Sequence, residues 1–205
     1  MSSLKNNQLI MKKFEAKKFS IPTLKGISDK TTEEHMKLYE GYVKNANLIL
    51  EQIEELSQDV AKNAYTIGEL QRRFSFEFDG MRNHEYYFGS LENGPAALTE
   101  ESALKNKIAE DFGSFEKWLE NFKLVAKTRG IGWAILSYDE KENRLLNSWA
   151  DEQHLGHLTG LKPILMLDMW EHSFVADYQP SGKATYIEDF FANLNWGVIE
   201  GNFKN

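Results

Sequence analysis

The chain has 205 residues, 41% of them hydrophobic and 27% charged, which is enough apolar material for one compact unit or two small domains. A net charge of −7 without a basic stripe argues against nucleic acid as a partner, and the absence of cysteine excludes a disulfide framework, a zinc ribbon or a thiol nucleophile. No run approaches the ~18 apolar residues of a membrane span, and the first residues carry lysines but no apolar h-region, so the cytoplasm is the expected compartment.

Residues 1–20 are polar and basic and are expected to form a poorly ordered arm, with Met11 a second candidate start. A turn-rich lead-in, Ile21-Pro22-Thr23-Leu24-Lys25-Gly26, follows. Ser28 or Thr31 can cap a helix, and Thr31 with Glu34 fits a capping box. From there to about Ser57, apolar residues fall at Leu38, Tyr42, Ala46, Ile49, Leu50, Ile53 and Leu56, which is helical spacing. Extending that stripe backwards places His35 on it.

After a polar link near 58–64, a second helical stripe runs through Ile67, Leu70, Phe74, Phe78, Met81, Phe88 and Leu91, with His84 in phase. The two segments predict an antiparallel helical hairpin with one histidine on each apolar face. A lone histidine on such a face is usually a hydrogen-bonded core residue. Two on facing stripes change the odds, because both lone pairs then enter one inter-helix space.

Glu92-Asn93-Gly94-Pro95 is a break, giving an N-terminal arm and helical-hairpin domain over 1–93 and a second domain over 94–205. Thr99-Glu-Glu-Ser102 is expected to restart a helix, to about Phe112, and another, capped by Ser114, follows over 115–127. Strands follow at 133–138 and 145–149 around a polar turn, then a loop with Gln153, His154 and His157, then a strand at 164–167. Residues 184–205 read as one closing helix. The fold class is α+β, with the second half built of helices around a small three-stranded antiparallel sheet.

The 164–167 strand runs into Asp168, and His172 lies four residues further on. A buried strand that ends in a carboxylate and then an imidazole must find each polar group a partner or a cation. His35, His84, Asp168 and His172 are therefore candidate metal ligands. Three imidazoles and one carboxylate suit manganese or iron rather than calcium or magnesium, and leave a fifth position for solvent.

LDMWEH around Asp168, NHEYYF around His84, GIGWAIL around Trp133, YVKNAN from Tyr42 and YIEDFFANLNW near the end together resemble the iron/manganese superoxide dismutases. The resemblance covers about Ile27 to Trp196. It implies one manganese or iron ion per chain on His35, His84, Asp168 and His172, with Trp133 and Trp170 as walls and Tyr42 as the gateway tyrosine. It implies disproportionation of superoxide, with the metal cycling between trivalent and divalent states. It also implies at least a homodimer, in which Glu171 reaches the partner's His172.

The chain departs from the family pattern in several places. His35 and Tyr42 are seven residues apart where the family has eight, so an ungapped match would put Glu34 in the ligand place. His35 is preferred, with the deletion absorbed by loss of a helix bulge. Tyr39 and Val175 stand where the family pairs a histidine and a tyrosine across its interface. Gly80, where iron types often carry a glutamine, leans the metal towards manganese. The amide or imidazole beside the metal-bound solvent must then come from Gln153 or His154, of which His154 is favoured. Lys37, Lys44 and Lys183 are candidates for steering an anion. Two other readings stay open. One is a non-catalytic metal-binding or scaffold member of the same fold. The other, weaker, is a metal-dependent hydrolase with Glu34 as base.

Overall fold

The computed structural model describes residues 12–204. Helix α1 spans Asp29–Leu56 and α2 spans Val60–Leu91, joined by the short turn Ser57–Asp59. The link is shorter than the polar composition of 58–64 predicts, because Asp59 accepts from the Lys62 amide and starts α2 at once. Ser28 caps α1, its Oγ accepting from the Thr31 amide, so Thr31 lies inside the helix and the expected Thr31–Glu34 box does not form.

The buried line of α1 is Thr31, His35, Tyr39, Val43, Ala46 and Ile49. Its first half steps by four from His35, which turns Leu38 outwards, 43% exposed, against the expected stripe. The helix is α-helical throughout, with no bulge between His35 and Tyr42.

Residues 12–20 are not a loose arm. They run extended along the hairpin. Phe14 exchanges two hydrogen bonds with the Asn47 amide side chain, the Lys17 amide donates to Tyr39 Oη at 2.8 Å, and Phe19 packs against Tyr39 and Phe88. The expectation of disorder for 1–11, and of Met11 as a start, lies outside the described residues. Gly26 then turns with φ +78°, in a place where a Cβ would stand 2.2 Å from Tyr178 Oη. Only glycine suits both that conformation and that approach.

The second half holds α3 (Ala103–Phe112), α4 (Phe115–Ala126), β1 (Gly132–Asp139), β2 (Arg144–Asp151) and β3 (Lys162–Asp168). A short helix α5 (Val175–Tyr178) precedes α6 (Lys183–Ala192) and α7 (Trp196–Lys204). The sheet is antiparallel in the order β2-β1-β3, so the architecture is α+β as the sequence predicts. The single closing helix expected over 184–205 is two. Asn193 and Asn195 divide it, because the Asn193 side chain bonds Lys25 and Asp189 and the Asn195 side chain bonds Glu92 and the amides of Gly197 and Val198. Asparagine side chains that bond the main chain compete with helix continuation.

One apolar cluster runs through both halves, from Tyr39, Met81 and Phe88 on the hairpin to Leu165, Leu167, Tyr186 and Phe190. The site sits inside it, where α1, α2 and the end of β3 meet. No helix among the described residues is long and apolar enough to cross a membrane.

Candidate metal centre

β3 carries Ile164, Leu165, Met166 and Leu167 fully into the core and delivers Asp168 there with no exposure. Trp133 of β1 is the direct cross-strand partner of Asp168, which places both side chains on one face. The main chain of Asp168 is fixed from behind. Tyr186 Oη donates to its carbonyl at 3.0 Å, with Tyr87 Oη 3.2 Å from the same hydroxyl, and Ser173 Oγ stands 3.1 Å from the Asp168 carbonyl. The two carboxylate oxygens are used differently. Oδ1 accepts from the Trp170 amide at 2.7 Å, while Oδ2 faces the imidazoles.

His35 Nε2 lies 3.0 Å, His172 Nε2 3.2 Å and His84 Nε2 3.6 Å from that single oxygen. All four donor atoms lie within 4.8 Å of one another. The His84 ring is oriented by Nδ1 donating to the Gly80 carbonyl at 2.6 Å, which leaves Nε2 as a buried nitrogen with no hydrogen-bond partner among the described residues. An orphaned buried imidazole nitrogen is costly unless something else occupies its lone pair. Three converging imidazole nitrogens around one carboxylate oxygen fit a first-row transition ion, and the orphan is what such an ion would satisfy. Of the four sequence candidates, the structure brings all together.

Burial pushes the His84 pKa down to about 3, with His35 adding to the effect, and burial likewise lowers His35. Burial alone would raise the Asp168 carboxyl, but His172 and His35 outweigh it and hold it below the usual carboxylate range. Neutral imidazoles and an ionised carboxylate are the states in which these groups bind metal.

Aromatic rings close the space around the cluster. Trp133 meets the His84 ring edge-on at 5.0 Å, and Trp170 stacks on His172 at 5.7 Å and 23°. Tyr87 and Phe88 each pack 4.9 Å from His35. On the side towards solvent, Tyr42 lies 5.1 Å from the His84 ring and is half-buried. Its ring lies against Gly80, where a Cβ would come within 2.5 Å of Tyr42 Cδ1. Burial raises the Tyr42 pKa far above the ordinary tyrosine value, and the Asp168 charge adds to the rise, so the hydroxyl keeps its proton.

The group that meets Tyr42 is Gln153, not His154. Gln153 is fully buried; its Nε2 donates to Tyr42 Oη at 2.9 Å and its Oε1 accepts from Trp133 Nε1 at 2.9 Å. The His154 ring turns instead towards Phe76, 5.6 Å away and edge-on, and its Nδ1 has no partner among the described residues. The physical reason is local. Glu152 adopts φ +52° in a turn closed by paired hydrogen bonds between Asp151 and Leu155, and that twist aims residue 153 inwards.

Other expected roles also move. Glu34 is on the exposed face of α1, paired with Lys37, so it is no base for a hydrolase and Lys37 is not a free cation. Lys183 Nζ donates to the Thr128 carbonyl at 2.7 Å over the Trp149 ring, which fixes the position of its ammonium group. Tyr39 faces inwards, accepting from Lys17 and donating to Glu85 Oε1 at 3.3 Å, so its hydroxyl has partners within its own chain.

The family model for iron/manganese superoxide dismutases, C-terminal domain, matches residues 100–202. The iron superoxide dismutase of Cupriavidus metallidurans is 37% identical over 84% of this chain and 86% of its own length. That of Aquifex pyrophilus is 34% identical over 88% and 86%, and a manganese superoxide dismutase of Haloferax volcanii is 35% identical over 80% of each. The domain match covers the sheet and the closing helices, the relatives span most of the hairpin besides, and the chain belongs to the iron/manganese superoxide dismutase family.

Proposed function

We propose that the protein is a superoxide dismutase, converting two superoxide ions and two protons to dioxygen and hydrogen peroxide. The observation that carries the reading is the orphaned His84 Nε2, buried beside an oxygen that two other imidazoles share. His35, His84, Asp168 and His172 would hold one manganese or iron ion through Nε2 of each ring and Oδ2. When bound, that ion supplies the one-electron acceptor and donor that side chains alone lack.

The chain's own residues supply position and protons. Gln153 donates to Tyr42 Oη, which leaves the Tyr42 proton free to point towards the cluster. Burial keeps that proton in place at neutral pH, so Tyr42 is a proton-holding group beside the centre. Trp133 and Trp170 exclude water from the flanks.

Manganese is the proposed ion. The closeness of Gly80 to Tyr42 and the arrival of the amide from residue 153 support it. A homodimer is proposed through Glu171, whose exposed side chain makes no ion pair among the described residues and sits beside the 21%-exposed His172. Superoxide consumption by protein loaded separately with manganese and with iron tests the function. Rapid metal-dependent turnover is expected, and stoichiometric metal without turnover would leave a metal-binding scaffold instead.

A further inference from the structure

The Gln153 side chain is fixed at both ends, to Tyr42 and to Trp133, but its main chain sits in a loop that needs a support of its own. The turn is strained, since a non-glycine residue at φ +52° persists only where its surroundings determine it. Two consecutive carbonyls are held by side chains. Trp170 Nε1 donates to Glu152 O at 3.1 Å, and Gln153 O receives Asn83 Nδ2 at 2.9 Å and His157 Nε2 at 3.0 Å. Trp170 and Asn83 adjoin the metal cluster itself. His157 reaches the carbonyl from within the loop itself.

We propose that His157 is a positioning residue, holding the Gln153 main chain so that the Gln153 amide meets Tyr42. A carbonyl oxygen only accepts, so the contact selects the His157 form with its proton on Nε2. The following residues give the ring its reach. Gly156 turns back with φ +104°, in a place where a Cβ would stand 3.1 Å from the Trp149 carbonyl, and this folds residue 157 under residue 153. His154, next to Gln153, does not share this role, because its ring packs on Phe76. The proposal rests on the assignment of Gln153 and Tyr42 to the reaction, but its test does not depend on turnover.

The experiment compares full-length, metal-bound wild type, His157→Ala and His157→Gln by hydrogen–deuterium exchange and by crystallography. Loss of one buried-acceptor bond should speed exchange of the Asp151, Glu152 and Leu155 amides roughly tenfold in His157→Ala. β1 and β3 should keep wild-type rates. The Gln153 Nε2 to Tyr42 Oη distance should lengthen beyond about 3.5 Å. His157→Gln, which retains an N–H donor on a side chain of similar reach, should restore both. An unchanged exchange rate, acceleration spread evenly over the sheet, an intact Gln153–Tyr42 bond in the alanine variant, or no rescue by glutamine would each overturn the proposal.

Discussion

The inner cluster and the outer gate are held by different means. His35, His84 and Asp168 ride on α1, α2 and the end of β3, each locked by core packing on several sides. Gln153 rides on a turn and is held by individual hydrogen bonds to Tyr42, Trp133, Asn83 and His157. The difference teaches where the molecule can be tuned. Changes to the cluster act through the whole core, whereas changes to the gate act through one bond at a time.

The largest effect should come from Asp168→Ala. It removes the only anionic donor that faces the imidazoles among the described residues, and metal retention should be lost. Elemental analysis after dialysis checks this; stoichiometric metal in the variant would mean that the cluster is not the binding site. The main-chain anchors from Tyr186 remain, so the fold itself should persist.

Acid should come next. In the metal-free protein the His84 pKa is lowered to about 3 against an unfolded value near 6.5. The unfolded chain therefore binds more protons between those values, and folding stability present above about pH 6.5 falls as pH drops through that window. The slope should reach at most about 1.4 kcal/mol per pH unit for this ring. Denaturant melts from pH 7 to pH 4 measure it, and a flat profile would show that His84 is not held neutral. Bound metal should flatten the same profile by keeping the ring deprotonated.

At the boundary between the two regions, Gly80→Ala puts a methyl within 2.5 Å of the Tyr42 ring. Overpacking of this kind costs roughly 1–3 kcal/mol. It should also pull Tyr42 from Gln153 while leaving the Gly80 carbonyl to His84. Thermal melts with metal analysis separate the two regions: stability drops and metal stays. The smallest effect belongs to Tyr42→Phe, which deletes one hydrogen bond, about 0.5–1.5 kcal/mol. Metal content should be unchanged, and the pH dependence of turnover should shift; an unaltered pH profile would remove Tyr42 from proton delivery.

The same division explains what the sequence made legible. His84 and His172 could be found from helical phase and from a strand that ends in a carboxylate, because period and burial are properties of local pattern. The hairpin and the three-stranded antiparallel sheet followed from the same signals. His35 needed more, since the seven-residue spacing to Tyr42 was resolved only by an α1 that runs without a bulge. The choice between Gln153 and His154 was out of reach. Both are polar neighbours in a loop, and the decision rests on the φ of Glu152, which has no periodic signature. The division of the last helix was written in Asn193 and Asn195, two asparagines close together, a signal of side chains that bond the main chain. The seating of 12–20 on the hairpin was hidden because a polar, lysine-rich composition says nothing of which main-chain groups will find partners.

The lead-in to α1 has a further consequence for synthesis. Lys25 and Ser28 make their bonds to Asn193 and Asp177, residues that leave the ribosome some 150 positions later. The first ligand-bearing helix is therefore translated long before its entry can be clamped. The entry to α1 must wait until Asp177 of α5 and Asn193 after α6 have been made, and a nascent chain stalled before Asp177 lacks both clamps.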